Sequence, residues 1–497
     1  MTDRTLADWQ QAAANVQIDG RAYINGRRVQ ASSGETRTTY NPANGQPLAE
    51  VANCSTADAD EAVRLSRAAF EDGVWSGLPA ADRKMVLVRW AELIEKHADE
   101  LALLETLDVG KPIADTVNVD VPSSVRTIRW TGEAIDKVYD QISPSRHNSL
   151  GLITRMPLGV VAAIVPWNFP LSTTAWKLAP ALATGNSVIL KPASNTPLTA
   201  LRMADLASEA GLPDGVLHVL PGPGGSLGQH IATHGDIDGL TFTGSTPVGK
   251  QLMVYSGQSN LKRVFLELGG KSPNIVFPDA DLDKAASAAA LAVYYNGGQT
   301  CTAGTRLIVH ESIHDAFLEN VIAAAGGWAP GNPLDPDTAM GPMIDESQCR
   351  SVADYVAIGR EEGAELVAGG NTVLAETGGF YHEPTIFSGV NNRMRIAREE
   401  IFGPVLSVIP FKDADEAVRI ANDSIYGLAG AVWSRDINTA HRVADKVRVG
   451  TMGINNYFGG DITVPFGGFK ESGNGRDKSM HALDDYTELK TTWLEFD

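Results

Sequence analysis

The spacing of apolar residues predicts short elements at the start of the chain and a long helical region after them. Residues 1–55 hold turn-forming residues between short apolar runs, which predicts strands and turns. From Ala57 to Val138 apolar residues recur at helical spacing, as expected for helices with one buried face. The pair Lys111-Pro112 interrupts this pattern, and the polar stretch 143–154 predicts an edge hairpin or a connector.

Short β-branched runs then alternate with helical stretches. The runs of the first series begin at Val160, Ser187, Val216 and Gly239. The helical stretches between these runs cover Thr174–Ala183, Leu198–Ala210 and Ser226–Thr233. A second series follows Glu267, and the tail at 489–493 reads as one more strand. This alternation predicts an α/β fold with two successive doubly wound, Rossmann-like domains and a small β extension, because βαβ units build parallel sheets covered on both faces.

Composition is that of a globular protein in a reducing compartment. The 497 residues are 43% hydrophobic and 20% charged, and no apolar run reaches the roughly 18 residues of a membrane span. The first nine residues contain acids and no apolar core, so they do not resemble a signal peptide. Three cysteines in a chain of this length argue against a disulfide scaffold, and we expect a cytoplasmic protein.

The charge balance excludes some partners. The chain has 41 basic and 60 acidic residues, a formal net charge of −19. Nucleic acids and anionic membranes are bound by clustered lysines and arginines, so neither is an expected partner. The expected ligands are therefore small molecules. We also predict no metal site.

One turn in the second series carries a thiol, Cys301. It lies in the segment Asn296–Arg306, between an Ala-rich helical stretch and a β-like run. Glycines and small residues on both sides would let backbone or a ligand approach the sulfur. From this segment alone, a buried core thiol and a catalytic nucleophile are equally good interpretations.

Two glycine-rich turns follow strands of the first series. The turn Gly222–Gly228 opens a helix, which suits pyrophosphate binding, although its third glycine is one residue later than in the usual dinucleotide motif. The turn Phe242–Thr246 also ends a strand.

Two matches to known catalytic or phosphate-binding motifs are rejected. The G-x-S-x-G pattern at 224–228 lacks evident histidine and aspartate partners, and Gly270-Lys-Ser272 lacks the first glycine of a phosphate-binding loop.

Two polar residues occur where chemistry or plain structure could explain them. Glu267 interrupts an apolar run before two glycines; it is either a solvated end-of-strand acid or, if buried, a general base with a raised pKa. Asn168 lies in the rigid turn Pro166–Pro170, where it either forms the turn or donates an N–H to an oxyanion.

Together these segments resemble the aldehyde dehydrogenase superfamily over nearly the whole chain. The matching motifs are Pro166-Trp-Asn-Phe-Pro170, Leu190-Lys-Pro192, Phe242-Thr-Gly-Ser-Thr246, Leu266-Glu-Leu-Gly-Gly-Lys-Ser-Pro273, Gly298-Gln-Thr-Cys301, Glu400-Ile-Phe-Gly-Pro404 and Pro465-Phe-Gly-Gly-Phe-Lys-Glu-Ser-Gly473. The tail Phe469–Ser479 and the segment around Ile128-Arg-Trp130 are most similar to bacterial γ-glutamyl-γ-aminobutyraldehyde and guanidinobutyraldehyde dehydrogenases.

The resemblance implies a role for each matching residue. Cys301 would be the nucleophile, Glu267 the general base, and Asn168 with the Cys301 backbone N–H the oxyanion hole. NAD would be the cofactor, with NADP also accepted because Ser194 replaces a carboxylate that many NAD-preferring relatives carry. The residues expected at the cofactor are Trp167, Lys191, Ser194, Gly224, Gly228, Gly244, Ser245, Glu400 and Phe402.

The resemblance also implies a domain division and a substrate tunnel. Residues 1–140 and 157–266 would bind NAD(P), 267–475 would be catalytic, and 141–156 with 476–497 would assemble a homodimer or homotetramer. The expected tunnel residues are Asp120, Phe169, Thr173, Trp176, Tyr295, Phe458, Asp461 and Phe466. Thr173 should widen the tunnel and make it more polar, and Asp120 and Asp461 at its mouth would face a distal amine, guanidinium or amide, unless both are ordinary solvated acids.

Three alternatives remain beside an ω-amino- or guanidino-aldehyde dehydrogenase. A CoA-acylating semialdehyde dehydrogenase is disfavoured by Glu267, which such relatives lack. A silent dinucleotide-binding homologue is disfavoured because Cys301, Glu267 and Asn168 are all present. A broad-specificity aliphatic aldehyde dehydrogenase differs only in its substrate.

Overall fold

The computed structural model describes residues 4–496, so Met1–Asp3 of the amino-terminal segment considered above and Asp497 lie outside the description. The helices are α1 (Leu6–Asn15), α2 (Thr56–Glu71), α3 (Ala80–Lys96), α4 (Ala98–Val109), α5 (Ile113–Asp115), α6 (Val121–Ala134), α7 (Pro170–Ala183), α8 (Leu198–Glu209), α9 (Gln229–Thr233), α10 (Thr246–Gln258), α11 (Leu282–Tyr294), α12 (His314–Ala325), α13 (Glu346–Glu361), α14 (Arg395–Arg398), α15 (Ala414–Asn422) and α16 (Ile437–Lys446). Short π-helical turns cover Thr116–Asp120 and Gly224–Gly228, and 3₁₀ turns cover Ile135–Lys137, Tyr295–Gly298, Glu311–Ile313, Gly326–Trp328, Ala375–Thr377, Lys470–Ser472 and Met480–Tyr486.

The strands form two large sheets and three small ones. They are β1 (Ala22–Ile24), β2 (Arg27–Val29), β3 (Thr36–Tyr40), β4 (Pro47–Ala52), β5 (Gln141–Ser143), β6 (Ser149–Pro157), β7 (Val160–Ile164), β8 (Ser187–Lys191), β9 (Leu217–Val219), β10 (Gly239–Thr243), β11 (Arg263–Glu267), β12 (Pro273–Val276), β13 (Arg306–His310), β14 (Glu365–Ala368), β15 (Thr372–Val373), β16 (Tyr381–His382), β17 (Thr385–Ser388), β18 (Val405–Phe411), β19 (Ala429–Trp433), β20 (Thr451–Ile454) and β21 (Thr487–Glu495). None of the helices between residues 4 and 496 has both the length and the hydropathy needed to cross a bilayer.

The two large sheets confirm the predicted α/β class. The first has the order β11-β10-β7-β8-β9-β1-β2, parallel from β11 to β9. The second has the order β14-β17-β18-β13-β12-β19-β20, in which only the β14–β17 pair is antiparallel. β11 of the first sheet ends at Glu267, and β12 belongs to the second sheet. The predicted boundary between residues 266 and 267 therefore lies just before the last residue of β11. The predicted domain limits remain a prediction.

Both faces of the first sheet are buried, as its continuous apolar strands predict. Val160 and Ala162 belong to one apolar cluster, shared with α2, α9 and α10, whereas Val161 and Ala163 belong to another, shared with α3, α4 and α6–α8. Neighbouring residues of a strand point to opposite faces, so such a strand has no polar side. The sheet is thereby held rigid, and its strand ends can position side chains accurately.

Three predicted elements differ in the structure. Residues 1–55 were expected to contain only strands and turns, but Leu6–Asn15 is a helix. Thr5 and Asp8 form a capping box at its start, and the buried Trp9 anchors it. The helix predicted from Thr174 starts four residues earlier at Pro170, since proline is favoured in the first turn. The helix predicted over 226–233 is a π-helical turn at Gly224–Gly228 followed by α9.

The predicted edge hairpin and tail strand form one antiparallel sheet, β21-β6-β5. All nine residues of β21 pair with β6, from Thr487 opposite Pro157 to Glu495 opposite Ser149. Most of β21 is nevertheless exposed, including Leu489 at 65% and Trp493 at 53%. Exposed apolar side chains on an outer strand are typical of a surface that another chain covers.

Candidate active site

A cavity of about 990 Å³ lies at the carboxyl ends of β7, β8, β10 and β11, whose last or following residues form part of its wall. Ligands of open α/β sheets bind at this edge. The predicted site residues that line it are Asp120, Trp167, Asn168, Phe169, Thr173, Trp176, Lys191, Ser194, Gly224, Gly244, Ser245, Glu267, Tyr295, Cys301, Glu400, Phe402, Phe458, Asp461 and Phe466. Gly228 lies outside the wall, packed beneath the Lys191 side chain.

The loop that carries Cys301 is tightly constrained. α11 ends at Tyr294, and Asn296, Gly297 and Gly298 all have positive φ angles, which turn the chain back toward the cavity. Glycine adopts such angles without steric cost, which explains the glycines in the motif. On the far side of the sulfur, the hydroxyl of Tyr457 donates a hydrogen bond to the carbonyl of Thr302 at 2.7 Å. The thiol is therefore held at a fixed place in the wall.

Asn168 is joined to the same loop. Its side-chain nitrogen donates to the carbonyl of Gln299 at 2.8 Å, and the side chain of Asn296 donates to the carbonyl of Asn168 at 3.1 Å. A carboxamide nitrogen has two N–H groups, and the structure assigns one acceptor to this one within residues 4–496. The second N–H is available to a substrate oxygen near Cys301.

Glu267 is buried and lacks a hydrogen-bond partner. It is 2% exposed, and neither carboxylate oxygen has a protein partner within the described chain. Burial, reinforced by Asp477, raises the pKa of Glu267 well above its usual range, while Lys177 and Arg476 act in the opposite direction. A buried carboxyl group with a raised pKa holds a proton more strongly than an exposed one, as suits a general base.

A buried ion pair lies beside Glu267 that the sequence did not reveal. The ammonium of Lys177 contacts both carboxylate oxygens of Asp477, at 2.9 and 2.7 Å. Lys177 belongs to α7 and Asp477 to the tail, 300 residues apart. No local sequence signal could connect them.

The thiol of Cys301 is not activated in the free protein. Burial, followed by the charges of Glu400 and Glu267, raises its pKa to about 12. A nucleophilic thiolate therefore requires either a base or a favourable charge that arrives with a ligand. Cys54 and Cys349 are also buried with raised pKa values, but neither lines the cavity.

One end of the cavity has the features expected for a dinucleotide. Around Gly224 and Gly225 the space next to each Cα is empty to 4 Å, so backbone there is open to a ligand. Lys191 is 3% exposed, and burial lowers its pKa to about 8. The hydroxyl of Ser194 donates to the carbonyl of Gly222 at 3.0 Å. Among residues 4–496 no carboxylate forms a salt bridge with Lys191, so this end of the cavity suits a negatively charged ligand.

Glu400 and Phe402 lie further along the cavity toward Cys301. A Glu400 oxygen accepts a hydrogen bond from the backbone N–H of Gly270 at 3.0 Å, and burial raises its pKa to about 7. Phe402 has a φ angle of 56° and packs edge-on against Trp167, with ring centroids 5.2 Å apart. Gln348, which sequence reasoning missed, fixes this strained residue by donating to its carbonyl at 2.9 Å.

The predicted substrate acids are not equivalent. Asp120 lines the cavity but is fully buried, and the ammonium of Lys111 neutralises it at 2.8 Å. It is thus neither a solvated acid nor a free carboxylate at the mouth. Asp461 is exposed and accepts hydrogen bonds from Thr463. The Thr173 hydroxyl donates to the carbonyl of Phe169 at 2.7 Å, so it adds less polarity than expected.

Comparison with known proteins defines the class. Residues 29–492 match the model of the aldehyde dehydrogenase family. The chain belongs to this family, and the predicted fold class and enzyme class, an NAD(P)-dependent aldehyde dehydrogenase, are confirmed.

Individual relatives are similar over their full lengths. The NADP/NAD-dependent aldehyde dehydrogenase PuuC of Escherichia coli K12 is 52% identical over 99% of both chains. The structure of a γ-glutamyl-γ-aminobutyraldehyde dehydrogenase from Burkholderia cenocepacia has 56% identity and a TM-score of 0.98, covering 99% of this chain and 100% of that one. The P. syringae indole-3-acetaldehyde dehydrogenase AldA in complex with NAD⁺ and IAA has 58% identity and a TM-score of 0.98, with the same coverage.

Proposed function

We propose that this enzyme oxidises an amine-derived aldehyde to its carboxylic acid through a covalent intermediate on Cys301. The observation that carries the proposal is that one cavity brings together a thiol, an oxyanion donor and a buried carboxylate, on Cys301, Asn168 and Glu267. These are the three groups that such a two-stage acyl transfer requires.

In the first stage the sulfur of Cys301 attacks the carbonyl carbon of the aldehyde. The free N–H of Asn168 and the backbone N–H of Cys301 stabilise the oxyanion of the thiohemiacetal. Glu267 accepts the thiol proton, directly or through water, because the thiol does not ionise by itself at neutral pH. Loss of a hydride from the thiohemiacetal carbon leaves a thioester on Cys301.

In the second stage water hydrolyses the thioester. Glu267 first passes the thiol proton to solvent and then takes a proton from the attacking water. The tetrahedral intermediate collapses, the acid leaves, and the sulfur of Cys301 takes up a proton. Burial favours the protonated form of Glu267, so the base becomes effective only as the pH rises through its raised pKa.

The residues at the other end of the cavity fit NAD. Bound there, NAD supplies a nicotinamide ring that accepts the hydride. Lys191 would bind the adenosine ribose and Glu400 the nicotinamide ribose. The open backbone at Gly224 would approach the pyrophosphate. Gly228 would not contact NAD but would support Lys191, because it packs under the lysine side chain. Two relatives support this choice, since PuuC is named as NADP/NAD-dependent and the AldA structure contains NAD⁺.

The relatives also guide the choice of substrate. The Burkholderia structure is named for γ-glutamyl-γ-aminobutyraldehyde, and a relative from Pseudomonas aeruginosa that is 45% identical is named aminoacetaldehyde dehydrogenase. We therefore favour an aldehyde with a nitrogen further along its chain over a simple aliphatic one. The presence of Glu267 favours water over CoA as the acyl acceptor.

A panel of aldehydes with NAD, with and without CoA, tests this function. We expect NADH formation that is independent of CoA and fastest with amine-derived aldehydes. Cys301→Ala should abolish turnover yet leave NAD binding nearly intact, while Cys54→Ala should retain most of the activity. Near-normal NADH production by Cys301→Ala would contradict the proposal.

A further inference from the structure

Lys478 is a cation in the cavity wall that the mechanism above does not use. It follows Asp477 in the tail and lines the cavity with Trp176 and Phe466. Its ammonium lies 4.4 Å from the ring centroid of Trp176 and 5.3 Å from that of Phe466. The centroids of the two rings are themselves 5.3 Å apart, so the ammonium lies beside both rings and contacts each of them.

The backbone holds Lys478 in an unusual conformation. Its φ angle is 62°, and that of the next residue, Ser479, is 53°. Residues other than glycine are uncommon in this region of φ, and they persist where the surrounding structure enforces them. The hydroxyl of Ser479 accepts from the backbone N–H of His481 at 3.3 Å, which fixes the turn. The position of Lys478 is thus determined by the fold and not by chance side-chain contacts.

Lys478 has no acidic partner to cancel its charge. Within residues 4–496 its ammonium makes neither a salt bridge nor a hydrogen bond that meets ordinary distance limits. Two buried lysines at the substrate end are paired, in contrast: Lys111 with Asp120 at 2.8 Å, and Lys177 with Asp477 at 2.7 Å. An ammonium is only a donor, so a half-buried and unpaired one requires an acceptor.

The neighbouring groups require the same kind of partner. The indole nitrogen of Trp176, which can only donate, is buried and lacks a partner among the described residues. Asp461, the remaining acid at this end, is exposed and already accepts bonds from Thr463. The pairing of Asp120 with Lys111 removes the other carboxylate that could receive a cation. Beside Trp176 and Phe466 the cavity wall therefore presents an unpaired ammonium and a free indole N–H.

We propose that Lys478 is a specificity-determining residue that binds a carboxylate at the end of the aldehyde substrate remote from its carbonyl group. The proposal rests on the function given above and narrows its substrate class. The preferred aldehyde would carry its nitrogen as an uncharged amide, with a carboxylate beyond it, because a free ω-ammonium would meet the like charge of Lys478. The indole N–H of Trp176 would donate to the amide or carboxylate oxygen.

The pKa of Lys478 agrees with this role. Burial and the charge of Arg126 lower it below the usual lysine range, while the charges of Asp477, Cys301 and Asp461 act in the opposite direction. A carboxylate placed next to the ammonium would raise it further and so stabilise the charged form.

A matched pair of aldehydes tests the proposal. N-succinyl-4-aminobutanal and N-butanoyl-4-aminobutanal have the same amide and chain length, and only the first ends in a carboxylate. Steady-state kcat/KM for both, and for butanal and 4-aminobutanal, would be measured in the parent, Lys478→Met, Lys478→Arg and Asp461→Asn. We expect the parent to favour the carboxylate at least tenfold, mainly through KM, and to favour the butanoyl compound over 4-aminobutanal.

The variants separate a binding role from a structural one. Lys478→Met should reduce the carboxylate preference to within about twofold of unity while changing kcat/KM for butanal by less than about threefold. Lys478→Arg should keep most of the preference, and Asp461→Asn should keep all of it. If the parent shows no preference, or if Lys478→Met retains it, the proposal is wrong.

A second measurement does not depend on the variants. Glutarate should inhibit the parent competitively against the aldehyde, and more weakly at high ionic strength, since the contact is electrostatic. Absence of inhibition by glutarate would also overturn the proposal. Failure to oxidise any aldehyde, including butanal, would instead refute the function on which the proposal rests.

Discussion

Replacement of Glu267 by glutamine separates the two stages of the reaction. The glutamate is 2% exposed at the end of β11, and neither oxygen has a protein hydrogen bond. Glutamine has the same shape and removes no such bond, so the fold should be preserved. What is lost is the base that activates water.

The size of the effect follows from what a general base contributes. A positioned base typically accelerates proton transfer about 10²- to 10⁴-fold, equivalent to roughly 3–5 kcal/mol in the barrier. We expect hydrolysis of the thioester to slow by this factor in Glu267→Gln. Formation of the thioester should slow less, because the Cys301 side chain is partly exposed and its proton can pass to solvent when Glu267 is replaced.

Stopped-flow absorbance of NADH is the direct assay. Glu267→Gln should give a burst near one NADH per subunit, followed by slow turnover, whereas Cys301→Ala should give no burst. In the parent, kcat should rise as the pH increases through the raised pKa of Glu267, because only the ionised form of Glu267 acts. Full steady-state activity in Glu267→Gln, or a burst no larger than that of the parent, would refute the assignment.

Three further predictions follow from particular contacts. NADP should support turnover, because residue 194 is a serine and no carboxylate there repels the 2′-phosphate. The ratio of kcat/KM for NADP to that for NAD should fall from pH 7 to pH 9, as Lys191 loses its charge near pH 8. Ser194→Glu should lower the same ratio at least tenfold. The exposed strand Thr487–Glu495 should be covered in a homodimer or a dimer of dimers, so light scattering at micromolar concentration that gives a monomer would contradict this expectation. Lys111→Met should destabilise the fold by about 3–5 kcal/mol in chemical denaturation, because it leaves the buried Asp120 unpaired, and adding Asp120→Asn should restore much of the loss.

Local sequence patterns predicted the sheets and the loop of Cys301 well. The β-branched runs at Val160 and Ser187 became strands because their alternate residues fill apolar clusters on both faces of one sheet. The glycines near Cys301 occupy positions of positive φ, which the motif implied. The amino-terminal helix was missed although Thr5 and Asp8 carry a capping signal, because the run after it is short and rich in alanine.

Long-range pairing could not be predicted in the same way. Asp120 was predicted either to face a distal group of the substrate or to be a solvated acid, and only the folded chain places Lys111 against it. The pair Lys177–Asp477 joins residues 300 positions apart. The two rings next to Lys478 also come from distant parts of the chain, Trp176 from α7 and Phe466 from the loop before Lys478. Charge compensation depends on tertiary distance, so the polarity of the tunnel had to be read from the structure.

The proposed reaction requires Cys301 to carry the acyl group. The Glu267→Gln variant would be mixed with NAD and the best aldehyde, quenched in acid and digested, and the peptide masses would be measured. The peptide that contains Cys301 should be heavier by the mass of the acyl group. The peptides that contain Cys54 and Cys349 should be unchanged. An acyl adduct on another residue, or an enzyme that forms NADH stoichiometrically without any adduct on Cys301, would contradict the account.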